Sequence, residues 1–348
     1  MVGNQVISLV LMSGILITGN CTEKMMFAIN TWPFTSATDA AFQTLIQGGS
    51  SLDAVVAGCS QCETDQCDGT VGWGGSPDED GHTTLDALVM EGGRQDTGAV
   101  IQLKSVREAS KVARAVLEHT YHTILVGENA TNFALSLGFE RKPLSSERSI
   151  KIWEAWKEGN CQPNYWKNMV NSTKKCGPYT PDVIHNTSPS RKFTKKRYRF
   201  DHDTIGMIAL DGYGKMAVGT STNGKNHKIS GRSSDSAIPG CGGFVDETVG
   251  GAVATGDGDI MMRFSPAFLA VELMRGGMSP QKAAEVSLNR ITTKYPNSFS
   301  GAIVVASKDG EYGAACYGMD KFPYSVRDSR ESSQTRVIEV ECTGSVDL

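Results

Sequence analysis

The sequence has no excess of either charge sign: 34 Lys and Arg stand against 38 Asp and Glu, a formal net charge of -4 over 348 residues. Such a chain has no general field with which to concentrate phosphate polyanions, so composition excludes a nucleic-acid-coating surface. Long apolar runs are missing too. The run from Val6 to Gly19 falls short of the ~20 residues a membrane-spanning helix needs. Repeats and low-complexity tracts are also absent, and 39% hydrophobic with 21% charged residues describes a soluble globular protein of one large or two ordinary domains. Glycine is in surplus, 38 residues or about 11% against a usual ~7%, and marks turns and sites of close backbone approach.

The Val6 to Gly19 run has the length of a signal-peptide core, although Met1 to Gln5 supplies no Lys or Arg. A removable segment over about residues 1–23 is expected, with a buried N-terminal strand as the alternative. Sequons at Asn129-Ala130-Thr131, Asn171-Ser172-Thr173 and Asn186-Thr187-Ser188 suit a chain entering the secretory route. Of nine cysteines, Cys21 lies near or inside the removable segment. Cys62 with Cys67, Cys161 with Cys176 and Cys316 with Cys342 read as disulfide pairs of an oxidising compartment. Cys59-x-x-Cys62 also has zinc-ligand spacing, but no second such pair or His-x-His follows at a finger's distance. Cys59 shares an apolar helical face with Leu52, Val55 and Val56, and Cys241 lies between glycines; both read as buried structural thiols.

Hydrophobic periodicity predicts helices over Ser36 to Leu45, with Ser36-x-x-Asp39 as a capping box and Gly48-Gly49 as the stop, and from about Leu52 onward. Further helices are expected at Val106 to His119 and Ile150 to Lys157, a loop from Gly69 to Gly81, and a short strand at Leu85 to Met90, so the first half reads as mostly helical. The pattern after residue 204 is β: Ile205 to Leu210, a turn at Asp211-Gly212, and Lys215 to Thr220, with a second hairpin at Ala302 to Ser307 and Glu311 to Cys316 around Asp309-Gly310. Between them lie helices at Pro266 to Arg275 and after Ser279, an N-cap followed by Pro280 at the first helical position. Segregated strands and helices fit an α+β layered sandwich.

A linker of Pro, Ser, Thr, Asn and basic residues occupies about 178–203, with Arg191, Lys192, Lys195, Lys196, Arg197 and Arg199 near its end. It reads as a solvated, cleavable segment. Where it meets the strand stands Asp201-His202-Asp203-Thr204-Ile205-Gly206-Met207. One reading is an Asp/Thr turn before a strand. The other is a threonine whose preceding peptide bond is cut, freeing an α-amine of pKa near ~8 to act as base for its own hydroxyl.

Gly219-Thr220-Ser221-Thr222-Asn223-Gly224, Gly231-Arg232-Ser233-Ser234-Asp235-Ser236, Thr255-Gly256-Asp257-Gly258-Asp259 and Met262-Arg263-Phe264 follow in order. With Asp203-Thr204-Ile205-Gly206, the series resembles the N-terminal nucleophile hydrolases of the asparaginase-2 family. The resemblance extends back to Asn30-Thr31-Trp32-Pro33-Phe34, Cys67-Asp68-Gly69, Gly74-Gly75-Ser76-Pro77-Asp78-Glu79 and Asn160-Cys161-Gln162-Pro163-Asn164-Tyr165-Trp166. These early motifs separate it from the cytosolic plant-type asparaginases and from the threonine aspartase relative, and favour the branch acting on glycosylated asparagine.

The resemblance implies a four-layer αββα sandwich formed by autoproteolysis between Asp203 and Thr204, giving an α chain over 24–203 and a β chain over 204–348. It further implies Thr204 as nucleophile and base, Thr222 orienting it, and Thr255 with Gly256 as the oxyanion hole. Arg232 would hold a substrate α-carboxylate, which a planar fork suits. Asp235 would pair with the α-ammonium, and Trp32 would wall the sugar side, with Asp257 and Gly258 completing the substrate-binding stretch. Each residue taken singly has a plainer role, a surface arginine, a turn, a glycine loop or a core tryptophan; the ordered set outweighs those.

The expected substrate is glycosyl-asparagine with free α-amino and α-carboxyl groups. The expected assembly is an αβ heterodimer that pairs again, in the lysosome or outside the cell. No metal or organic cofactor is called for. An L-asparaginase or β-aspartyl peptidase is the enzyme alternative, and an uncleaved secreted binding glycoprotein the non-enzyme one. One departure from family members is the non-cysteine pair Ala284 and Val305, where a further disulfide would cross from helix to strand. The basic character of the linker is another.

Overall fold

The strand Ile205–Leu210 and its hairpin partner Met216–Thr222 are buried along their whole length. A sheet built on such strands must be covered on both faces. A computed structural model describes residues 25–182, 204–331 and 334–344 and shows how the cover is arranged.

In chain order the strands are β1 (Phe27–Thr31), β2 (Leu85–Glu91), β3 (Thr97–Leu103), β4 (Ile124–Val126), β5 (Met169–Val170), β6 (Thr180–Pro181), β7 (Ile205–Leu210), β8 (Met216–Thr222), β9 (Gly243–Asp246), β10 (Gly250–Gly256), β11 (Gly301–Ser307), β12 (Tyr312–Tyr317), β13 (Lys321–Asp328) and β14 (Arg336–Glu341). The helices are α1 (Thr35–Ile46), α2 (Ser51–Asp65), α3 (Ala109–His119), α4 (Gly127–Ser136), α5 (Glu147–Glu158), α6 (Gly258–Met261), α7 (Pro266–Arg275) and α8 (Pro280–Thr292). The larger sheet runs β14-β13-β1-β7-β8-β2-β3-β4, antiparallel except for β3 with β4; the smaller runs β12-β11-β10-β9, and β5 with β6 forms a separate ribbon.

The period-2 alternation of side chains sorts three cores. From β7, Ile205, Met207 and Ala209 point toward α1, α2 and α3, where they meet Ala41, Val55, Cys59 and Val112. Ile208 and Leu210 point the other way, into a core shared with Val253 of β10 and Val304 of β11. Beyond the smaller sheet, Ala252, Ala254, Ile303 and Val305 pack on Val271 of α7 and Leu288 of α8. The result is helices, sheet, sheet, helices. Segments before residue 183 and after residue 204 interleave in the larger sheet, β1 lying between β13 and β7 and β8 pairing β2.

Several sequence expectations hold closely. Helix α7 matches its expected range, and Ser279 caps α8 through its hydroxyl with Pro280 in the first turn. Asp211 closes the β7–β8 turn by accepting the amides of Tyr213 and Lys215, and its other oxygen accepts the Ser51 amide at the start of α2. The three cysteine pairs are disulfides, while Cys59 and Cys241 are buried thiols. Ala284 and Val305 fill the outer core by packing.

Other expectations are corrected. Ser36 and Asp39 form no capping box, because α1 starts at Thr35 with no side-chain cap. Ser36 instead donates to Asp65, and Asp39 is drawn to Arg327 on β13 and to Thr335. The working capping box is Ser50 with Asp53, at the start of α2. Helix α3 begins at Ala109, not Val106. The first half also carries more strand than expected, since β2 and β3, of seven residues each, form a hairpin. The removable segment, Asn186, the basic cluster and Asp203 lie outside the described residues. Asn129 on α4 and Asn171 are exposed. Among the described residues no helix is long and apolar enough to cross a membrane.

Glu63 ties the helical layer to the central strands. Its Oε1 accepts the Ser110 amide at 2.9 Å, the Ser110 hydroxyl, and the Ser221 hydroxyl of β8 at 2.7 Å. Its Oε2 has no hydrogen-bond partner among the described residues. Burial pushes this carboxyl up to about 7, against the three bonds that favour its charge. The unfolded chain ionises there near ~4.5 while the folded protein keeps the proton, so this group's contribution to stability falls as pH rises from ~4.5 to ~7. In denaturant unfolding across that range, wild type should lose roughly 3 kcal/mol relative to Glu63→Gln, which keeps an acceptor for the same donors. Every other titrating group is common to both proteins and cancels. Parallel pH profiles for the two would refute the assignment.

Candidate active site

Thr204 stands at the entrance to β7 and is buried. Its amide donates to Thr255 Oγ1 at 3.1 Å, its carbonyl accepts the Thr31 hydroxyl at 2.7 Å, and its Oγ1 lies 3.2 Å from Ser236 Oγ. Thr31 ends β1, and its hydroxyl also accepts the Gly206 amide at 2.9 Å. One side chain therefore satisfies two backbone groups of β7 where the β1–β7 ladder stops. The Ser236 carbonyl accepts Thr220 Oγ1 of β8 at 2.6 Å. Thr204 is thus held from both neighbouring strands, its carbonyl by Thr31 of β1 and its hydroxyl by Ser236, which β8 holds through Thr220.

Thr255 closes β10. Its Oγ1 accepts the indole N–H of Trp32 at 3.1 Å as well as the Thr204 amide, so its own proton must point in a third direction. Trp32 reaches it from a left-handed backbone, φ 66°, which is unfavourable for a tryptophan. Asn30 donates to the Trp32 carbonyl at 3.3 Å and Ser325 donates to the same oxygen at 3.0 Å, while the ring packs edge-on against Phe322. Gly256 follows at φ 128°, beside Gly301; a Cβ there would lie 2.4 Å from the Gly301 Cα.

Asp235 immediately precedes Ser236. It is buried, and its Oδ2 has no hydrogen-bond partner among the described residues. Its Oδ1 lies so close to Gly258 that a Cβ on that glycine would come within 2.1 Å. Burial pushes the carboxyl up to about 7, with Arg232 pulling the other way. A buried, half-satisfied carboxyl of this kind is a ready partner for an incoming cation.

Arg232 is paired. Its Nε lies 3.2 Å from Asp259 Oδ1 and its Nη2 3.3 Å from Oδ2. Asp259 in turn lies 2.6 Å from Lys225 Nζ, which also reaches Asp257 at 2.7 Å. Though burial acts against ionisation, the Arg232 and Lys225 charges hold the Asp259 carboxyl far below the usual range. Behind them Asp86 accepts the amides of Gln102 and Ser234, each at 2.7 Å, and Gln102 donates to the Arg232 carbonyl at 2.8 Å. The fully buried Lys228 donates to the carbonyls of Asn223 and Ser76, and burial pushes its ammonium down to about 8.

Thr222 lies one register step beyond the Ile205 and Ser221 pair. Its hydroxyl donates to the Thr70 carbonyl and accepts the Gly224 amide, and neither bond reaches Thr204. The hydroxyl beside Thr204 Oγ1 is that of Ser236, which sequence reasoning did not single out. Thr31, Asp86, Gln102, Lys225 and Lys228 were missed as well. Thr31 and Ser236 stood inside quoted motifs and Lys225 directly follows the Gly219 to Gly224 motif, whereas Asp86, Gln102 and Lys228 carried no signal. Among the described residues one group of possible metal ligands occurs, Asp78, Asp80 and His82. Asp78 already accepts the amides of Asp80 and His82, and Ser230 bonds both aspartates.

An asparaginase family model matches residues 8–335. The N(4)-(beta-N-acetylglucosaminyl)-L-asparaginase of mouse is 48% identical over 327 residues, which is 92% of this chain and 93% of the mouse protein. The rat protein of the same name is 49% identical over 303 residues, 86% of this chain and 87% of its own length.

Thr31→Val keeps the shape of the side chain and removes the hydroxyl that serves the Thr204 carbonyl and the Gly206 amide. It should lower stability by about 1–3 kcal/mol, seen as a lower urea midpoint at unchanged slope, while Thr31→Ser retains most of the wild-type value. Equal midpoints for Val and wild type would mean that the hydroxyl holds nothing.

Proposed function

The chain belongs to the asparaginase family, a family of amidohydrolases, and from that premise we propose that it hydrolyses the amide joining N-acetylglucosamine to the asparagine side chain, the substrate named for its mouse and rat relatives. The observation that carries the reading is the juxtaposition of a fixed, buried threonine hydroxyl with a half-satisfied carboxyl one residue from its Ser236 neighbour. The first is suited to attack; the second is suited to an α-ammonium.

On this reading the chain is first cut. Thr204 Oγ attacks the Asp203 carbonyl carbon, the peptide nitrogen leaves as the Thr204 α-amine, and water hydrolyses the ester. Residues 24–203 and 204–348 then stay together as α and β chains of one heterodimer, which pairs again. The same Oγ next attacks the side-chain amide carbon of the substrate, with the α-amine taking its proton. The developing oxyanion is met by the third-direction proton of Thr255 and by the Gly256 N–H. The glycosylamine departs and later loses ammonia in water, and a water molecule releases aspartate from the ester. Asp235 reads the α-ammonium, Arg232 the α-carboxylate, Asp257 and Gly258 line the same stretch, and Trp32 bounds the sugar side; the steadying of Thr204 expected of Thr222 falls to Ser236, whose hydroxyl lies 3.2 Å from Thr204 Oγ1.

Disulfides and the exposed sequon residues Asn129 and Asn171 support passage through the secretory route, with the lysosome as destination and secretion as the other outcome.

Intact masses and N-terminal sequencing of protein from a secretory host should give a fragment beginning Thr204-Ile205-Gly206-Met207. Thr204→Ala should stay uncut and inactive. Glycosyl-asparagine should turn over faster than asparagine or β-aspartyl dipeptides. Faster dipeptide hydrolysis would make the protein a β-aspartyl peptidase, and unaltered processing and activity in the Ala variant would make it something other than a threonine hydrolase.

A further inference from the structure

The reaction sequence leaves Lys225 and Asp259 without a task, yet they form the most heavily charged contact near Arg232. Lys225 is almost fully buried and bridges Asp257 and Asp259 with two short ion pairs. Burying an ammonium is costly unless its partners repay the lost hydration, so the arrangement calls for a purpose beyond packing.

We propose that Asp259, anchored by Lys225, is a positioning residue that sets the Arg232 guanidinium for the substrate α-carboxylate and thereby selects substrates carrying one. The inference rests on the reading of Arg232 given above.

Its geometry is specific. Asp259 takes the Nε and Nη2 edge of the guanidinium. Nη1 lies beside Gly224, where a Cβ would come within 3.2 Å of it, and makes no hydrogen bond among the described residues. A guanidinium offers two such edges, so one carboxylate orients the plane while a second binds at the free side. The two Arg232 bonds, at 3.2 and 3.3 Å, are long for charge-assisted ones, whereas the Lys225 bond to Asp259 is 2.6 Å. Lysine, not arginine, therefore fixes the carboxylate, and the guanidinium keeps the freedom to close on a ligand. Through Asp257, which directly follows Gly256, the same ammonium also ties the carboxylate reader to the oxyanion loop.

The test uses processed enzyme and two substrates: N-acetylglucosaminyl-asparagine and its analogue with hydrogen in place of the α-carboxylate. KM does not depend on how much of a preparation is active, so it reads correctly in a poorly yielding variant. Asp259→Asn should raise KM for the carboxylate substrate about tenfold, the size of one charge-assisted hydrogen bond. It should change kcat by less than about threefold and leave KM for the analogue as in wild type. Lys225→Met should move the same KM the same way, and the double variant should be no worse than the worse single one. Asp259→Glu should recover part of the loss. A KM that is unchanged or lower in Asp259→Asn, or one that rises equally for both substrates, overturns the proposal. Failure of every variant to mature assigns the network to folding and overturns it too. Wild type that takes both substrates with equal KM would instead remove Arg232 as the carboxylate reader, and the proposal with it.

Discussion

A buried hydroxyl keeps one position only where the backbone around it is satisfied, and in this chain that constraint falls on one strand entrance. Thr204 lies where β7 begins, between β1 and β8, with the smaller sheet behind it. The ladder to β1 stops there, and Thr31 takes over its hydrogen bonds with a side chain. Without such a substitute, two buried backbone groups would be left unpaired beside the Thr204 hydroxyl. Interleaving of segments from both sides of residues 183–203 follows from the same requirement. The strands that hold Thr204 come from both sides of any cut at Asp203, so a cut there leaves the sheet intact.

Burial sets the electrostatics as well. Glu63 beneath β8 and Asp235 beside Thr204 are both pushed up to about 7, whereas Asp259 is held far below the usual carboxylate range. All three suffer desolvation; what differs is company. Glu63 has hydroxyl and amide donors but no cation, Asp235 has Arg232 at a distance, and Asp259 has Arg232 and Lys225 in direct contact. His227 is displaced in the opposite sense, down to about 4, because burial penalises its charged form and Lys228 repels it. Its ring is stacked on Trp156 of α5, so the loop bearing the site's lysines is anchored by a neutral imidazole.

How much of this was legible depended on whether the deciding contact was local. Helices α7 and α8 carry their own start and stop signals, and the hairpin turn at Asp211 satisfies itself, so each was readable from a few residues. Ser36 and Asp39 looked like a capping box, but Arg327, far along the chain, claims the aspartate. Strand β3 is a buried run with no alternation of its own and is completed by its neighbours, whereas β13 does alternate, with Phe322, Tyr324 and Val326 facing the core, and pairs with an alternating β14, a local signal that the sequence reading passed over. The same division runs through the site. Residues in contiguous motifs, Thr204, Arg232, Asp235 and Thr255, could be named because those motifs carry the resemblance to the family. Thr31, Asp86, Gln102 and Ser236 act through contacts that only the folded chain creates.

The two carboxyls around Arg232 also give a reason why a zwitterion would be favoured over either of its halves. Lys225 is shared between Asp257 and Asp259, and Arg232 also pairs Asp259, so two cations face two carboxylates before a ligand binds, while one guanidinium edge stays available. Asp235 holds its proton up to about 7, so it presents no full charge to an approaching ligand in mildly acidic water. A ligand with only a carboxylate gains the free edge of the guanidinium but leaves the buried Asp235 oxygen unpartnered. One with only an ammonium can ionise Asp235, but that adds a buried negative charge beside Asp259 with no new demand on Arg232 to offset it. A ligand carrying both groups draws the proton off Asp235 and supplies its counterion, while its carboxylate takes the guanidinium edge. On the proposed reading of Asp235 and Arg232, each half would remove a cost the other would meet alone.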